Sequence, residues 1–271
     1  MKKFAALGLV GISLTIVSNM LYADSWSSAS LLEEKVLSLP VSSLEGMLVD
    51  AGTGSLLITG SDKADTIQVS ARIYGEDLEA DDYSLSLESK EGLAILYAHI
   101  TRDRYKSERI DLKVTLPARL KLEVNDRSGD LEIESMFAGV SINDRSGDIE
   151  LSNIQGGLQI DDRSGDIFLN SLSGGLTIND RSGNISLKEI DGDTKIIDRS
   201  GDIRVKNLEG NLDIEDSSGD VRVKNVSGVV SVDDTSGNIK VDGAADFVLV
   251  DDGSGDVELD NIRAVKTREL K

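Results

Sequence analysis

The sequence predicts an all-β protein: a β-solenoid, or flattened two-sheet β-helix, with 18-residue coils and an irregular β lead-in. Two observations carry that expectation. Between residues 125 and 256 the phrase Asp-Arg-Ser-Gly-Asp-(Ile/Leu/Val), with small variations, returns eight times. Its anchoring glycines are Gly129, Gly147, Gly165, Gly183, Gly201, Gly219, Gly237 and Gly255, each 18 residues from the next. A fixed period of this kind marks a solenoid or an array. Within one unit, 147–164, the apolar residues Ile149 and Leu151, then Leu158 and Ile160, alternate with polar neighbours, and Ile154 lies between the pairs. That period of two belongs to half-buried strands.

The elements of a unit follow in order. The two alternating runs are short strands. Residues 153–157 carry turn chemistry, and Asp162-Arg163-Ser164-Gly165 makes a second turn. Asp at the start of a turn accepts hydrogen bonds from nearby backbone, and Gly at its end tolerates positive φ. Two short strands cannot bury one apolar face alone, so the units must stack, with equivalent residues about 4.8 Å apart. One interior ladder is then Leu131, Ile149, Ile167, Ile185, Ile203, Val221, Ile239 and Val257. The other is Val124, Ile142, Ile160, Ile178, Ile196, Ile214, Val232 and Val250. β-Branched residues suit such a surface. Antiparallel hairpins in a sandwich are the rival arrangement, but they rarely keep one period through eight units.

Outside the repeats, residues 1–23 read as a signal peptide. Lys2 and Lys3 lead an apolar run, and Leu21-Tyr22-Ala23 offers cleavage after Ala23. The run is short for a membrane span, so no transmembrane span is expected after cleavage. Residues 24–118 form a β-rich lead-in that caps the first rung, with strands expected at 46–50, 55–59, 66–73, 83–88, 93–99 and 110–116. A separately folded small β domain is the alternative there. Residues 119–262 are the solenoid proper. Residues 263–271, with Arg263, Lys266, Arg268 and Lys271, are a charged tail that blunts the last edge. The chain has no cysteine, which excludes disulfides, thiolate metal sites and lipid attachment at a processed cysteine. The net charge of −20 becomes −22 without Lys2 and Lys3, which disfavours nucleic acid as a partner. The expected address is the periplasm, the cell surface or the exterior.

Leu112–Pro117 (LKVTLP) and Leu120–Val124 (LKLEV), followed by serial Ser-Gly-Asp-Ile, resemble the bacterial “putative adhesin” domain family of unknown function. The segment 54–62 (GSLLITGSD) is similar to that family's opening strands. The resemblance spans about 44–262. It implies an exported β-solenoid with an adhesin-like label and brings no catalytic residues with it.

Two groups of residues invite functional readings. Asp126, Asp144, Asp162, Asp180, Asp198, Asp216, Asp234 and Asp252 recur at one corner, with Asp130, Asp148, Asp166, Asp202, Asp220 and Asp256 nearby. Carboxylates about 5 Å apart repel by about 1 kcal/mol per pair even in water, so something must compensate. The simpler reading is that each Asp caps its own turn while Arg127, Arg145, Arg163, Arg181 and Arg199 neutralise the corner. The alternative is Ca²⁺ between rungs, at Asp216, Asp220, Asp234, Asp252 and Asp256, where the arginine gives way to Ser217, Thr235 and Gly253. No other cofactor is expected.

The second group is cationic. Arg204, Arg222 and Lys240 fall in one outward column and Lys188, Lys206 and Lys224 in the next. They form a basic face for an anionic glycan or envelope polymer, or else a solvated face balanced by nearby carboxylates. The opposite sheet presents Asp161, Asp213, Glu215, Asp233 and Asp251, which makes the body dipolar.

Catalysis has little support. The one histidine, His99, lies outside the repeats and reads as an ordinary strand or surface residue, and aromatics are only 4% of the chain, too few for sugar platforms around a carboxylate pair. The expected function is a non-catalytic binding or structural module at the cell envelope. The alternatives are an envelope regulatory or stress accessory protein acting through protein contacts and, behind it, a polysaccharide-processing enzyme.

Overall fold

The computed structural model describes residues 29–76, 78–101 and 107–267, and every regular element among them is a strand. The signal segment 1–23, Arg102, Arg104, Lys106 and residues 268–271 lie outside the described residues.

The repeats stack as parallel rungs. On the first face β8 (Lys121–Asn125) pairs with Val140–Asn143, which pairs with Leu158–Asp161, each residue opposite the one 18 positions on. On the second face β9 (Leu131–Glu134) pairs in the same way with Ile149–Gln155, and that with Ile167–Ser173. Both ladders run on through the remaining repeats. The second-face strands carry a bend at Ser135, Asn153, Ser171, Glu189, Asn207 and Asn225, whose φ values are positive. Beyond each bend a buried residue (Ile154, Leu172, Ile190, Leu208) closes a short third side.

The interior ladders predicted from the period are buried from Leu131 to Ile239 and from Val124 to Val232, at 0–1% exposure. Each such side chain contributes about 1.5–3 kcal/mol. The last residue of each ladder departs. Val257 is 37% exposed, because no rung follows to cover it. Val250 is only partly buried; Leu249 stands opposite Val232 and Phe247 opposite Val230. The corner at Gly243-Ala244-Ala245 is one residue shorter than its predecessor, and a slip of one turns the strand over. A bulge after Leu249 restores the period, so that Asp251 faces Asp233.

The lead-in contains the six expected strands: β2 (Gly46–Ala51), β3 (Leu56–Ser61), β4 (Thr66–Tyr74), β5 (Tyr83–Lys90), β6 (Leu93–Ile100) and β7 (Arg109–Pro117). β2 and β3 stack in parallel beneath β8 and β9, and β6 and β7 in parallel beneath β2 and β3. These pairs extend the solenoid by two rungs that the chain visits out of order. β5 on β6 and β4 on β7 are antiparallel and end the parallel stack, and β1 (Leu31–Pro40) lies antiparallel outside β4. At the other end, the strand Val257–Thr267 continues the pairing past Ile262, with Ala264 to Thr267 opposite Asp246 to Leu249.

Candidate binding surfaces

The repeated phrase builds one corner, and four of its five letters are accounted for by bonds. The first Asp turns inward and is almost wholly buried from Asp126 to Asp234. From Asp144 to Asp234 its Oδ1 accepts from its own turn: Asp162 from the Arg163 N–H at 2.6 Å and the Ser164 N–H at 3.3 Å, Asp216 from the Ser218 N–H at 3.0 Å, and Asp234 from the Ser236 N–H at 2.9 Å. Neither carboxylate oxygen of Asp126 has a hydrogen-bond partner among the described residues. The Ser hydroxyl donates to the rung before it: Ser146, Ser164 and Ser182 to the carbonyls of Arg127, Arg145 and Arg163. The Gly has φ from +126° to +154°, and a Cβ there would fall against the carbonyl of the glycine one rung earlier. The second Asp reaches forward: Asp148 Oδ1 accepts the Asp166 N–H at 2.9 Å, Asp202 Oδ1 the Asp220 N–H at 3.1 Å, and Asp220 Oδ1 the Asn238 N–H at 3.0 Å. Asn184 and Asn238 do the same with their carbonyl oxygens, Asn238 for Asp256.

The arginine is the remaining letter. Arg127, Arg145, Arg163, Arg181 and Arg199 are exposed, and no ion pair forms at any of them among the described residues. The expectation that they neutralise the buried Asp column is therefore corrected. The carboxylates point into the solenoid and the guanidiniums out of it. In the corners of Ser217 and Thr235 the same Oδ1 caps form without an arginine.

The column stays costly. The Oδ2 atoms of Asp144, Asp162, Asp180, Asp198, Asp216 and Asp234, and Oδ1 of Asp252, are buried with no hydrogen-bond partner. Burial, then the neighbouring carboxylate, pushes Asp126 up to about 7. Burial, only partly offset by turn hydrogen bonds, pushes Asp198 up to about 7 and Asp144 and Asp216 to about 6. At Asp180 burial and then Asp162 push the carboxyl to about 6. Burial also raises Asp162 and Asp234. The residues considered for Ca²⁺ thus divide. Asp216, Asp234 and Asp252 belong to the inner column, whereas Asp220 and Asp256 belong to the outer one, where Asp220 Oδ2 also holds Arg222 at 2.7 Å. Among the described residues no three or more His, Cys, Asp or Glu side chains converge on a metal-sized point.

The six cations of the second face are brought together as their spacing predicted. Arg204 stands opposite Arg222 and Lys188 opposite Lys206 across adjacent strands, and Lys206 opposite Lys224 and Arg222 opposite Lys240 continue the columns. All six are exposed. Four have carboxylates beside them: Arg204 on Asp202 at 2.6 Å, Arg222 on Asp220 and Asp202, Lys224 on Asp242 at 3.5 Å and Lys240 on Glu258 at 2.7 Å. Lys188 and Lys206 make no ion pair among the described residues. The acidic residues Asp161, Asp213, Glu215, Asp233 and Asp251 lie on the first-face strands, where Lys195 bridges Asp213 and Glu215.

Two features were not anticipated. Gly139, Gly157 and Gly175 leave a groove of about 1040 Å³ along the corner that leads into the first face, with Leu158, Leu176 and Leu212 among its lining residues. His99 is buried on β6, its Nε2 lies 2.8 Å from Asp50 Oδ1, and its ring packs against Tyr97.

The model of the Toastrack DUF4097 family matches residues 62–270, most of the chain. This chain belongs to the Toastrack DUF4097 family. Solved structures similar to this family member include a “putative cell adhesion protein” from Clostridium sporogenes, at 12% identity and TM-score 0.29, which covers 87% of this chain and 99% of that one. A “putative lipid binding protein” from Parabacteroides distasonis is similar at 17% identity and TM-score 0.44, with coverage of 87% and 97%. A “putative adhesin” from Bacteroides fragilis is similar at 15% identity and TM-score 0.35, also with coverage of 87% and 97%. No curated protein matches the chain.

Proposed function

We propose that this Toastrack protein is an exported, non-catalytic β-solenoid that binds an anionic glycan or envelope polymer along its second face. The observation that carries the reading is the register that aligns Arg204, Arg222 and Lys240 in one column and Lys188, Lys206 and Lys224 in the next. Like charges stacked on neighbouring strands are destabilising. Carboxylates offset this at Arg204, Arg222, Lys224 and Lys240. Lys188 and Lys206, opposite each other, have no such partner among the described residues and are left for a polyanion. The mechanism is multivalent. Each exposed contact is weak, and the parallel rungs hold many of them along one line, so that the second and later contacts form at high effective concentration. Export rests on the segment 1–23. Among the described residues no helix is long and apolar enough to cross a membrane. The one histidine is buried on β6, which keeps its ring from a substrate.

The test is a cross-linked pull-down from whole envelope extract with the chain from Asp24 onward, native and with Arg204, Lys206 and Arg222 changed to Gln. Anionic polymer enriched by the native chain and lost with the variant is the expected result. Equal polymer recovery by both would remove the basic face from the reading. Recovery of one protein by both, without polymer, would replace it with a protein-contact role and direct attention to the groove beside Gly157.

A further inference from the structure

The arginines of the repeated corner have no structural task, and that sets them apart from every other letter of the phrase. The first Asp caps its turn, the Ser and the second Asp tie adjacent rungs, and the Gly admits the close approach of neighbouring backbones. Arg127, Arg145, Arg163, Arg181 and Arg199 are exposed and unpaired among the described residues. The chain contains its own control. Where Ser217 and Thr235 replace the arginine, the caps from the Ser218 and Ser236 N–H groups are intact, and the rungs stay in register. Folding therefore does not require the arginine. Five arginines on successive rungs, whose backbones lie about 4.8 Å apart, also put like charges side by side along one edge, with no ion pair at any of them among the described residues.

Their distribution along the axis complements that of the face cations. The corners of Arg127, Arg145 and Arg163 lead into strands whose outward residues are Glu132 and Glu134, Glu150 and Ser152, and Phe168 and Asn170. The corners of Arg181 and Arg199 lead into strands that carry Lys188, and Arg204 with Lys206. The corners of Ser217 and Thr235 lead into Arg222 with Lys224, and into Lys240, whereas the last corner, at Gly253, leads into Glu258 and Asp260. From the corner of Arg127 to the strand of Lys240, each repeat thus places positive charge at the corner or just beyond it.

We propose that the arginine column is the first half of one continuous cationic track, which runs along the corner from Arg127 to Arg199 and passes onto the second face through Lys188 and Arg204. Its occupant is a linear anionic glycan with repeating carboxylate or phosphodiester groups. Guanidinium suits both, because its planar fork of donors binds either oxyanion in a bidentate manner. The linear form follows from the single file of charges, and a glycan rather than nucleic acid from the envelope address that the segment 1–23 supports. This inference rests on the proposed polyanion binding but assigns it to a different row of side chains.

The experiment compares three full chains: native, Arg145→Ser/Arg163→Ser/Arg181→Ser, and Arg204→Gln/Lys206→Gln/Arg222→Gln. Binding is measured to polygalacturonate, poly(glycerol phosphate), single-stranded polyadenylate and neutral dextran. The serine variant should melt as the native chain does, since Ser217 already occupies the equivalent place. It should bind at least one anionic glycan roughly tenfold more weakly, the sum of three exposed contacts. The salt dependence of binding should also flatten by about 0.7 per arginine removed. The two glycan probes tell carboxylate from phosphodiester. Native binding by the serine variant together with a loss in the face variant would overturn the corner track and leave the proposed function standing. No polyanion binding by the native chain would overturn both. Polyadenylate bound more tightly than either glycan would overturn the assigned occupant.

Discussion

Gly201 shows how far a single residue can be constrained by the next rung. Its φ is +150°, and a Cβ would meet the carbonyl of Gly183. Both facts follow from one cause: at this corner successive backbones lie against each other with no room for a side chain. Gly201→Ala should therefore cost about 3 kcal/mol or more, from backbone strain and a forced shift of the rung. A thermal melt would read this as a clear fall in midpoint, and an unchanged midpoint would mean that the corner is looser than described. The arginine two places earlier is the opposite case. Its identity was plain in the sequence, and so was its replacement by Ser217, Thr235 and Gly253. What the sequence left open was whether it faced the aspartates, because the direction of a turn side chain depends on how the corner folds over the rung beneath.

At the scale of the strand, alternation decides which side is inside. Ile178 is wholly buried, with Ile160 and Ile196 one rung away on either side. Ile178→Asp places an unpaired carboxylate in that ladder and should cost about 4 kcal/mol or more, enough to lower the melting midpoint steeply or prevent folding. A normal melting curve would show that inward and outward positions had been exchanged. Period-2 alternation found all six inner strands of the lead-in. It missed β1, whose Leu31, Leu32 and Val36 are exposed beside Glu33, Glu34 and Lys35. An outermost strand has little core to face, so its pattern carries little signal. It also missed the one-residue shortening at Gly243-Ala244-Ala245, since the later Asp-Gly-Ser-Gly phrase had already returned to the period through the bulge.

For the whole molecule the dominant electrostatic feature is the buried column of aspartates. Their carboxyls are held above the unfolded value of 3.8, at about 6 to 7 where burial is most costly. A carboxyl raised on folding binds more protons in the folded state. Its contribution to stability is therefore complete below the unfolded value and is lost as pH rises through the folded one. Asp220, held low by the Asn238 backbone N–H, and Asp242, held low by the Asn261 side chain, act in the opposite sense, but only as pH falls toward and below the ordinary carboxylate range. The melting midpoint should therefore be higher at pH 5 than at pH 8. Asp198→Asn keeps the acceptor for the Ser200 N–H and supplies a donor to the column, so it should stabilise by roughly 1–3 kcal/mol at pH 8 and by much less at pH 5. A pH-independent gain, or none, would mean that the column is not charged when folded at pH 8.

The sequence by itself determined the solenoid, its 18-residue coil, the interior ladders as far as Ile239 and Val232, and the grouping of the six face cations. Each of these follows from periodicity, and a parallel in-register stack converts a spacing along the chain directly into a neighbour in space. Tertiary structure decided what has no period of its own. β2–β3 and β6–β7 became rungs out of chain order because their partners were chosen by long-range pairing. The corner aspartates turned inward and the arginines outward because only the fold of one coil on the next sets the direction of a side chain at a turn.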